Sequence, residues 1–235
     1  MTTPRRLQRT LFAVLALALG FALTGCGGSS DTGRSTGADP SKALAAAKQH
    51  FDAAQSIHLD LSTDSKPSSG SAVLGANGVL THAPAFQGDV AVFLLGTRAN
   101  VPVVAVGGKL YAKLPLTTKY ATINPQEYGA PDPATFVDPQ HGLSSLLTQL
   151  QGVRKTGTAR AGSTVVTVYA GTLPGSKVAP LIPSADPNSS YDTTLNLDSK
   201  DRLTSLHVTG DFFGGQSVSY DVTLSYGGPV TIKAP

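Results

Sequence analysis

Apolar side chains recur with a helical period just after residue 40 and with a period of two over most of the chain beyond it. The helical stripe predicts an amphipathic helix over residues 41–54, which Asp39-Pro40 or Ser41 would start. From Ile57 onward apolar residues alternate with polar ones, which is the pattern of a half-buried strand. The apolar stripe of the helix consists of Leu44, Ala47, Phe51 and Ala54.

Alternation returns in most later segments and predicts a chain built mainly of strands. Gly107-Gly108 separates two of these segments and has the composition of a tight hairpin turn. Residues 198–201 form a second predicted turn, whereas Asn77-Gly78 fits either a turn or a glycine bulge inside one long strand. The predicted strands are 57–62, 90–94, 101–106, 109–114, 153–161, 164–172, 192–197, 203–209 and 218–225.

Four prolines interrupt the alternation within residues 124–139, where we expect a loop with short helical turns because proline cannot donate to a strand ladder. Helices are predicted at 143–150 and 176–182, with Ser144 and Ser145 on the solvent side of the first. This order of elements predicts an α+β fold, one large antiparallel sheet with a few helices on one face. The apolar face of the first helix comprises Leu143, Leu146, Leu147 and Leu150.

The first 39 residues have the composition of an export signal followed by a tether. Three arginines precede an apolar run at residues 11–23, which is short for a membrane span and typical of a signal peptide. The run ends at Leu23-Thr24-Gly25-Cys26, where small residues precede the only cysteine. This predicts a signal peptide at 1–25, a lipid anchor on Cys26, a flexible tether through residue 39 and a working domain at 40–235.

The charge balance argues against a nucleic-acid partner. Arg5, Arg6 and Arg9 lie in the predicted signal peptide, and removing these three of the 18 basic residues leaves 15, equal to the 15 acidic residues. Nucleic-acid binding requires clustered Lys and Arg, and the rest of the sequence has no such cluster. One cysteine permits no internal disulfide, so the fold depends on its apolar core.

No sequence motif points to catalysis, a metal ion or a cofactor. The five histidines lie in separate predicted elements without a second ligand at metal-binding spacing, and we expect them on the surface or half-buried. Residues 142–146 come nearest to a nucleophile elbow but lack its closing glycine. Asp198 and Asp201 are explained by their turn without a calcium ion. We therefore expect no cofactor and no enzymatic activity.

The apolar content is poor in large side chains. The chain has no tryptophan and 8 phenylalanines, and the predicted strand faces consist mainly of Val, Leu and Ala. Such residues pack well into an ordinary filled core, which composition alone favours. The alternative is an unfilled apolar cavity between the sheet and the leucine helix.

Several segments together resemble the mycobacterial lipoprotein family that includes LppX, LprA, LprF and LprG. They are Leu23-Thr24-Gly25-Cys26 with its polar tether, the helix start at Asp39-Pro40, and the strand at Gly88-Asp89-Val90. The most specific part is DPATFVDPQHGL at residues 132–143. The likeness covers nearly the whole chain and is strongest to the LprG members, although this sequence lacks any tryptophan.

The resemblance implies a half-barrel, a curved antiparallel sheet whose helices pack on the concave face around an apolar cavity. It implies that the cavity takes acylated lipids, either triacylated glycolipids or triacylglycerol, beside a major-facilitator-type exporter at the outer face of the cytoplasmic membrane. The residues assigned to the cavity are Val90, Val92 and Leu94 on one strand and Leu143, Leu146, Leu147 and Leu150 on the leucine helix.

Three functional hypotheses follow. The first is a lipid-binding carrier in the cell envelope, held to the membrane by Cys26. The second is a lipid-anchored scaffold or regulator of an exporter, with a filled core and no cavity. The third is an envelope hydrolase. Lipid bound to the purified domain would separate the first two.

Overall fold

The computed structural model describes residues 39–94 and 96–235 of the chain. The predicted signal peptide, Cys26 and all but the last residue of the tether lie outside the described residues. In the part of the chain that is described, no helix has both the length and the apolar character needed to cross a membrane.

Helix α1 spans Pro40–Asp52 and begins where the sequence predicts. The side chain of Asp39 accepts a hydrogen bond from the backbone N–H of Ser41 at 3.0 Å, which satisfies one free donor of the first turn. Pro40 occupies the first turn, where a missing N–H costs nothing. The buried face of α1 consists of Ala43, Leu44, Ala47 and Phe51.

The described residues contain eleven strands in one antiparallel sheet that does not close into a barrel, as the α+β prediction and the half-barrel expectation require. They are β1 (Ser56–Ser62), β2 (Ala72–Thr81), β3 (Ala85–Leu94), β4 (Thr97–Val106), β5 (Lys109–Ala112), β6 (Ala121–Ile123), β7 (Gln151–Ala161), β8 (Thr164–Pro174), β9 (Ser190–Leu197), β10 (Leu203–Asp211) and β11 (Ser217–Gly227).

The strand order is β6-β5-β4-β3-β2-β1-β11-β10-β9-β8-β7. Two meanders, β1 to β6 and β7 to β11, are therefore joined where β1 pairs with β11. In that pair Leu59 lies opposite Leu224, so strands from the two ends of the domain meet at the centre of the sheet. The edges are β6 and β7.

The hairpin between β4 and β5 is confirmed. Gly107 and Gly108 have φ values of 62° and 70°, and Val106 pairs directly with Lys109. Positive φ at both central positions matches the turn twist that two-residue hairpins prefer, and glycine adopts it without steric cost.

The Asn77-Gly78 dipeptide is neither a turn nor a bulge. It lies inside β2, where Gly78 pairs with Gly88 of β3. A Cβ on Gly78 would lie 2.7 Å from the ring of Phe86, which is fully buried, so this position needs glycine because a ring packs on its backbone. The register of β2 with β3 shifts instead between Val73 and Gly75.

The helical segments between the two meanders are shorter than the sequence predicts. The proline-rich stretch forms two 3₁₀ helices, Pro125–Tyr128 and Pro133–Val137. Helix α2 spans Leu143–Leu147 and stops before Leu150, because the chain already enters β7 at Gln151. Helix α3 spans Gly175–Val178 rather than residues 176–182.

The two halves of the sheet are filled differently on their inner face. Beside β9 to β11 an aromatic stack occupies the core, with ring centroids 4.7 Å apart between Tyr191 and Phe212 and again between Phe212 and Tyr220. Beside β2 to β5 the inward residues are mostly alanine, valine and leucine. The larger apolar space is therefore left beneath the second region.

The described sheet, its helices and its core all lie within Gly37–Pro235, which forms one compact unit. A segment that contains its own complete core has what it needs to fold by itself.

Candidate functional site

An apolar cavity with a volume of about 80 Å³ lies between the inner face of β1 to β6 and the proline-rich stretch. Successive strand residues point to opposite faces, so every second residue reaches the cavity. On β3 these residues are Val90, Val92 and Leu94. Val90 pairs with Ala76 of β2 and with Val101 of β4, and both also line the cavity.

The opposite wall is formed by residues 124–142, which we call the cap. Pro125, Pro131 and Pro133 line the cavity together with the rings of Tyr128 and Phe136. Proline has no backbone N–H, so a wall rich in proline leaves fewer donors to be satisfied in an apolar space. The cap composition therefore suits a dry cavity.

Two tyrosine hydroxyls, on Tyr128 and Tyr220, are the polar side-chain atoms among the described residues that line the first cavity. The Tyr220 hydroxyl donates a hydrogen bond of 2.5 Å to the carbonyl of Val73, next to the register shift of β2. Burial raises the pKa of Tyr220, so this hydroxyl stays protonated. The wall can therefore contact hydrocarbon, and it presents no charged side chain.

A second apolar cavity, of about 40 Å³, adjoins the first beneath β8, β10 and β11. Leu143 and Leu146 of α2 form part of its wall. Five residues line both cavities and separate them, and we call them the partition. The partition consists of Leu61, Phe136, Leu181, Ile182 and Tyr220.

The end of the cap is fastened to α1 by a polar cluster. The Lys48 ammonium lies 2.7 Å from Asp52 Oδ2 and donates to the carbonyl of Pro139 at 2.5 Å and to Ser144 Oγ at 3.2 Å. The Ser144 hydroxyl in turn donates to Asp52 Oδ1 at 2.6 Å. Ser144 is fully buried, so its predicted position on the solvent side of the helix is wrong. Its hydroxyl instead donates a hydrogen bond to Asp52 of α1.

Tight backbone turns shape the same end of the cap. Asp138 Oδ1 accepts the N–H groups of Gln140 at 2.7 Å and His141 at 2.8 Å, and these hydrogen bonds hold the pKa of Asp138 below its ordinary value. A Cβ on Gly142 would collide with the carbonyl oxygen of Phe136. The DPQHG sequence is therefore needed to turn the chain from the partition into α2.

Half-buried residues occur on two sides of the first cavity wall. Leu114, Ile123 and Tyr128 are half-buried, as are Val90 and Leu94 on β3, whereas residues of β4 such as Val103 are buried. One of these sides is formed by the β5–β6 connection and the first 3₁₀ helix of the cap.

The structure separates the residues that the sequence assigned to the cavity. Val90, Val92 and Leu94 line the first cavity, and Leu143 and Leu146 line the second. The other two leucines line neither: Leu147 is buried in the core and Leu150 is half-buried against it. Cys26 lies outside the described residues.

Sequence reasoning missed the cap and the partition. The four prolines were a usable signal, because a proline cluster next to a strongly apolar sheet predicts a covering loop with few donors. Tyr220 had no distinguishing signal, since it is one of several alternating residues on β11. The wall residues that the sequence did not single out include Pro131, Pro133, Phe136 and Tyr220.

The histidines, Asp198 and Asp201 are the other residues considered from the sequence for a metal site. His82 is half-buried and the other four histidines are exposed. Among the described residues no three His, Cys, Asp or Glu side chains are grouped closely enough to hold a metal ion. Burial alone would raise the pKa of Asp198, but hydrogen bonds from Arg202 and the Lys200 N–H hold it below the ordinary value.

Comparison with known proteins relates this architecture to a family. The family model described as LppX_LprAFG lipoprotein matches residues 39–232. LprF from Mycobacterium bovis has a similar structure, with a TM-score of 0.70, 19% sequence identity, and coverage of 83% of this chain and 96% of LprF. For LppX from Mycobacterium tuberculosis the TM-score is 0.60 and the identity 18%, with coverage of 83% of this chain and 98% of LppX. Among curated protein sequences none matches significantly.

Proposed function

We propose, since the chain belongs to the LppX_LprAFG lipoprotein family, that it binds acylated lipids in its two cavities and carries them at the cell envelope. The observation that supports this proposal most directly is the first cavity, whose described wall is aliphatic, proline-rich and aromatic without a charged side chain. Such a wall suits hydrocarbon chains, and its lack of acid, base or nucleophile other than tyrosine favours binding over catalysis.

The free energy of acyl transfer explains why a carrier is needed. Each methylene group removed from water contributes about 0.8 kcal/mol, so a lipid with long chains cannot cross an aqueous compartment by itself. The cavity offers those chains the same apolar surroundings as a membrane. Transfer between the two is therefore nearly balanced, and its direction must come from an exporter or an acceptor.

The size of the cavities implies that the cap moves during loading. Their volumes of about 80 and 40 Å³ are far below the roughly 300–1,000 Å³ of sites that enclose a whole small ligand. Displacing Phe136, which belongs to the cap and to the partition, would join the two spaces. A joined cavity with two arms suits a lipid with several acyl chains, and we propose triacylated glycolipids or triacylglycerol as the cargo.

Substitution of Val90 distinguishes a functional cavity from a filled core. In Val90→Trp the ring enters the first cavity, so bound lipid should fall several-fold while thermal stability changes little. In a filled core the same overpacking typically costs about 1–3 kcal/mol. The control is Gln87→Trp, which places the same ring on the exposed face of β3. Lipid extracted from the purified domain is measured by mass spectrometry beside the melting temperature.

Two outcomes of this experiment contradict the proposal. Lost stability with unchanged lipid would show that Val90 belongs to a packed core. A wild-type domain free of lipid, when purified from cells rich in acylated lipids, would favour the scaffold or regulator hypothesis.

We further propose that Cys26 carries the lipid anchor and that residues 26–39 tether the domain to the outer face of the cytoplasmic membrane, near an exporter. Two or more acyl chains on one residue give stable attachment, whereas one chain gives only marginal binding. Cys26→Ala should therefore move the protein from the membrane fraction to the soluble fraction with its melting temperature unchanged. Full retention of this variant in membranes would contradict the anchor.

A further inference from the structure

The loop between β5 and β6 presents a leucine in an unfavourable setting. Leu116 is 106% exposed relative to a free residue and has a φ of 66°. The Thr117 N–H donates to the carbonyl of Leu114 at 3.1 Å, and Pro115 precedes the leucine. This is the arrangement of a type II turn, whose third position normally holds glycine or asparagine.

The folded domain gains nothing from leucine at this position. A left-handed backbone is costly for any residue with a Cβ, and the exposed side chain buries no surface against the protein. The turn nevertheless holds the side chain outward, because the Thr117 hydroxyl donates to the carbonyl of Leu114 at 2.7 Å, with the carbonyl of Lys119 3.3 Å away. A contact outside the molecule would account for both the residue type and its fixed presentation.

The surroundings of Leu116 are cationic and amphipathic. Lys113 and Lys119 flank the turn, and residues 113–120 contain no carboxylate. Antiparallel pairing puts exposed Arg98, at the start of β4, toward the same end of the sheet, while Glu127 follows in the cap. Tyr120 is 39% exposed, and an aromatic ring with a hydroxyl suits a membrane interface.

This loop also borders the wall of the first cavity. Leu114 precedes the turn, Ile123 lies on the following strand, and both line the cavity. A surface that contacts Leu116 would therefore lie next to this part of the cavity wall.

We propose that residues 113–120, the docking loop, insert Leu116 into the outer monolayer of a bilayer that contains anionic lipids. Leu116 supplies the apolar contact, and Lys113 and Lys119 attract the negative headgroups. Docking places the part of the cavity wall formed by Leu114 and Ile123 close to the membrane surface. The inference goes beyond lipid carriage, because docking does not require the cavity to be loaded.

A tryptophan reporter tests insertion directly, because the chain has no tryptophan of its own. The unit of residues 37–235 is prepared as Leu116→Trp and as Val165→Trp, since Val165 is an exposed apolar residue on β8 with 52% exposure. With vesicles of mixed phosphatidylglycerol and phosphatidylcholine, emission should move to shorter wavelength and be quenched by brominated acyl chains only in Leu116→Trp. An equal response of both variants, or none, overturns the proposal.

Sedimentation with the same vesicles tests the natural residue. Leu116→Gly suits the positive φ, so the fold should be retained while the partition coefficient falls by about tenfold or more. Val165→Ser should bind as wild type. Lys113→Gln combined with Lys119→Gln should weaken binding to the anionic vesicles and leave binding to pure phosphatidylcholine unchanged. Wild-type binding by Leu116→Gly overturns the proposal.

Bound lipid is measured in the same preparations, which separates this inference from the proposed function. A domain that docks but holds no lipid contradicts the carrier function and supports docking. A domain that holds lipid but does not dock contradicts the docking loop alone.

Discussion

Single glycines determine how closely neighbouring groups approach the inner face of the first meander. Gly78 and Gly88 lie opposite each other on β2 and β3, and the buried ring of Phe86 packs against the backbone of Gly78. A Cβ at either position would meet a backbone carbonyl oxygen on the partner strand. These glycines therefore permit the close packing that surrounds the cavity wall.

Gly78→Ala should destabilise the domain by about 1–3 kcal/mol, because the added Cβ overpacks the Phe86 ring and a fixed backbone oxygen. Gly228→Ala is the control, since a Cβ there has no atom within 4 Å and φ is not positive. Urea denaturation of both variants gives the free energies of unfolding. Equal stability of the two would contradict the packing described for Gly78.

The cap depends on contacts with an element far away in sequence. Asp52 belongs to α1 and Ser144 to α2, yet their side chains share a hydrogen bond and both contact Lys48. The ion pair between Lys48 and Asp52 is partly buried, and its hydrogen-bond partners leave few of its polar atoms unsatisfied. This cluster therefore holds the cap end next to the partition.

Ser144→Ala should lower the free energy of unfolding by about 1–2 kcal/mol, because the Asp52 carboxylate loses a donor in a partly buried place. Hydrogen exchange in the cap, residues 124–142, should also become faster than in wild type. Thr148→Ala is the matched control, as its hydroxyl is exposed and bonds only within its own turn. Unchanged exchange in Ser144→Ala would show that this cluster does not hold the cap.

At the scale of the whole molecule, stability should be limited at high pH by the buried Tyr220 and the half-buried Tyr226. Burial raises the pKa of Tyr226 to about 12 and raises that of Tyr220 as well, from an ordinary value of 10.0. A raised pKa in the folded state means that the stabilisation is complete below pH 10 and is lost as pH rises through the folded pKa. The urea midpoint should therefore fall steeply above about pH 10.

Low pH should have a weaker effect. Backbone N–H groups hold the pKa of Asp138 and of Asp186 below the ordinary value of 3.8, so their contribution is present above that pH and is lost as pH falls toward the folded pKa. Both carboxylates are solvent-accessible, which screens the effect, and the buried Asp198, whose pKa is also lowered, adds to the loss in the same pH range. Urea midpoints measured at constant ionic strength check both limits. A midpoint that falls no further between pH 10 and 12 than between pH 4 and 2 would contradict this ranking.

The sequence by itself determined the features that depend on near neighbours. Asp39 and Pro40 start α1, and paired glycines form the β4–β5 hairpin. Alternation predicts the inward side chains of β3, and the proline cluster excludes a strand from the cap. Helix caps, two-residue turns and strand periodicity arise from bonds and steric contacts within a few residues. They can therefore be predicted without knowing the rest of the fold.

The tertiary structure alone decided the features that join distant residues. The pairing of β1 with β11, seen also in the hydrogen bond from Ser56 to the carbonyl of Gly228, depends on which strands meet. The burial of Ser144 and the shared walls of the two cavities depend on where the cap lies over the sheet. A cavity is space left between packed elements, so its place follows from their relative positions and not from any local pattern.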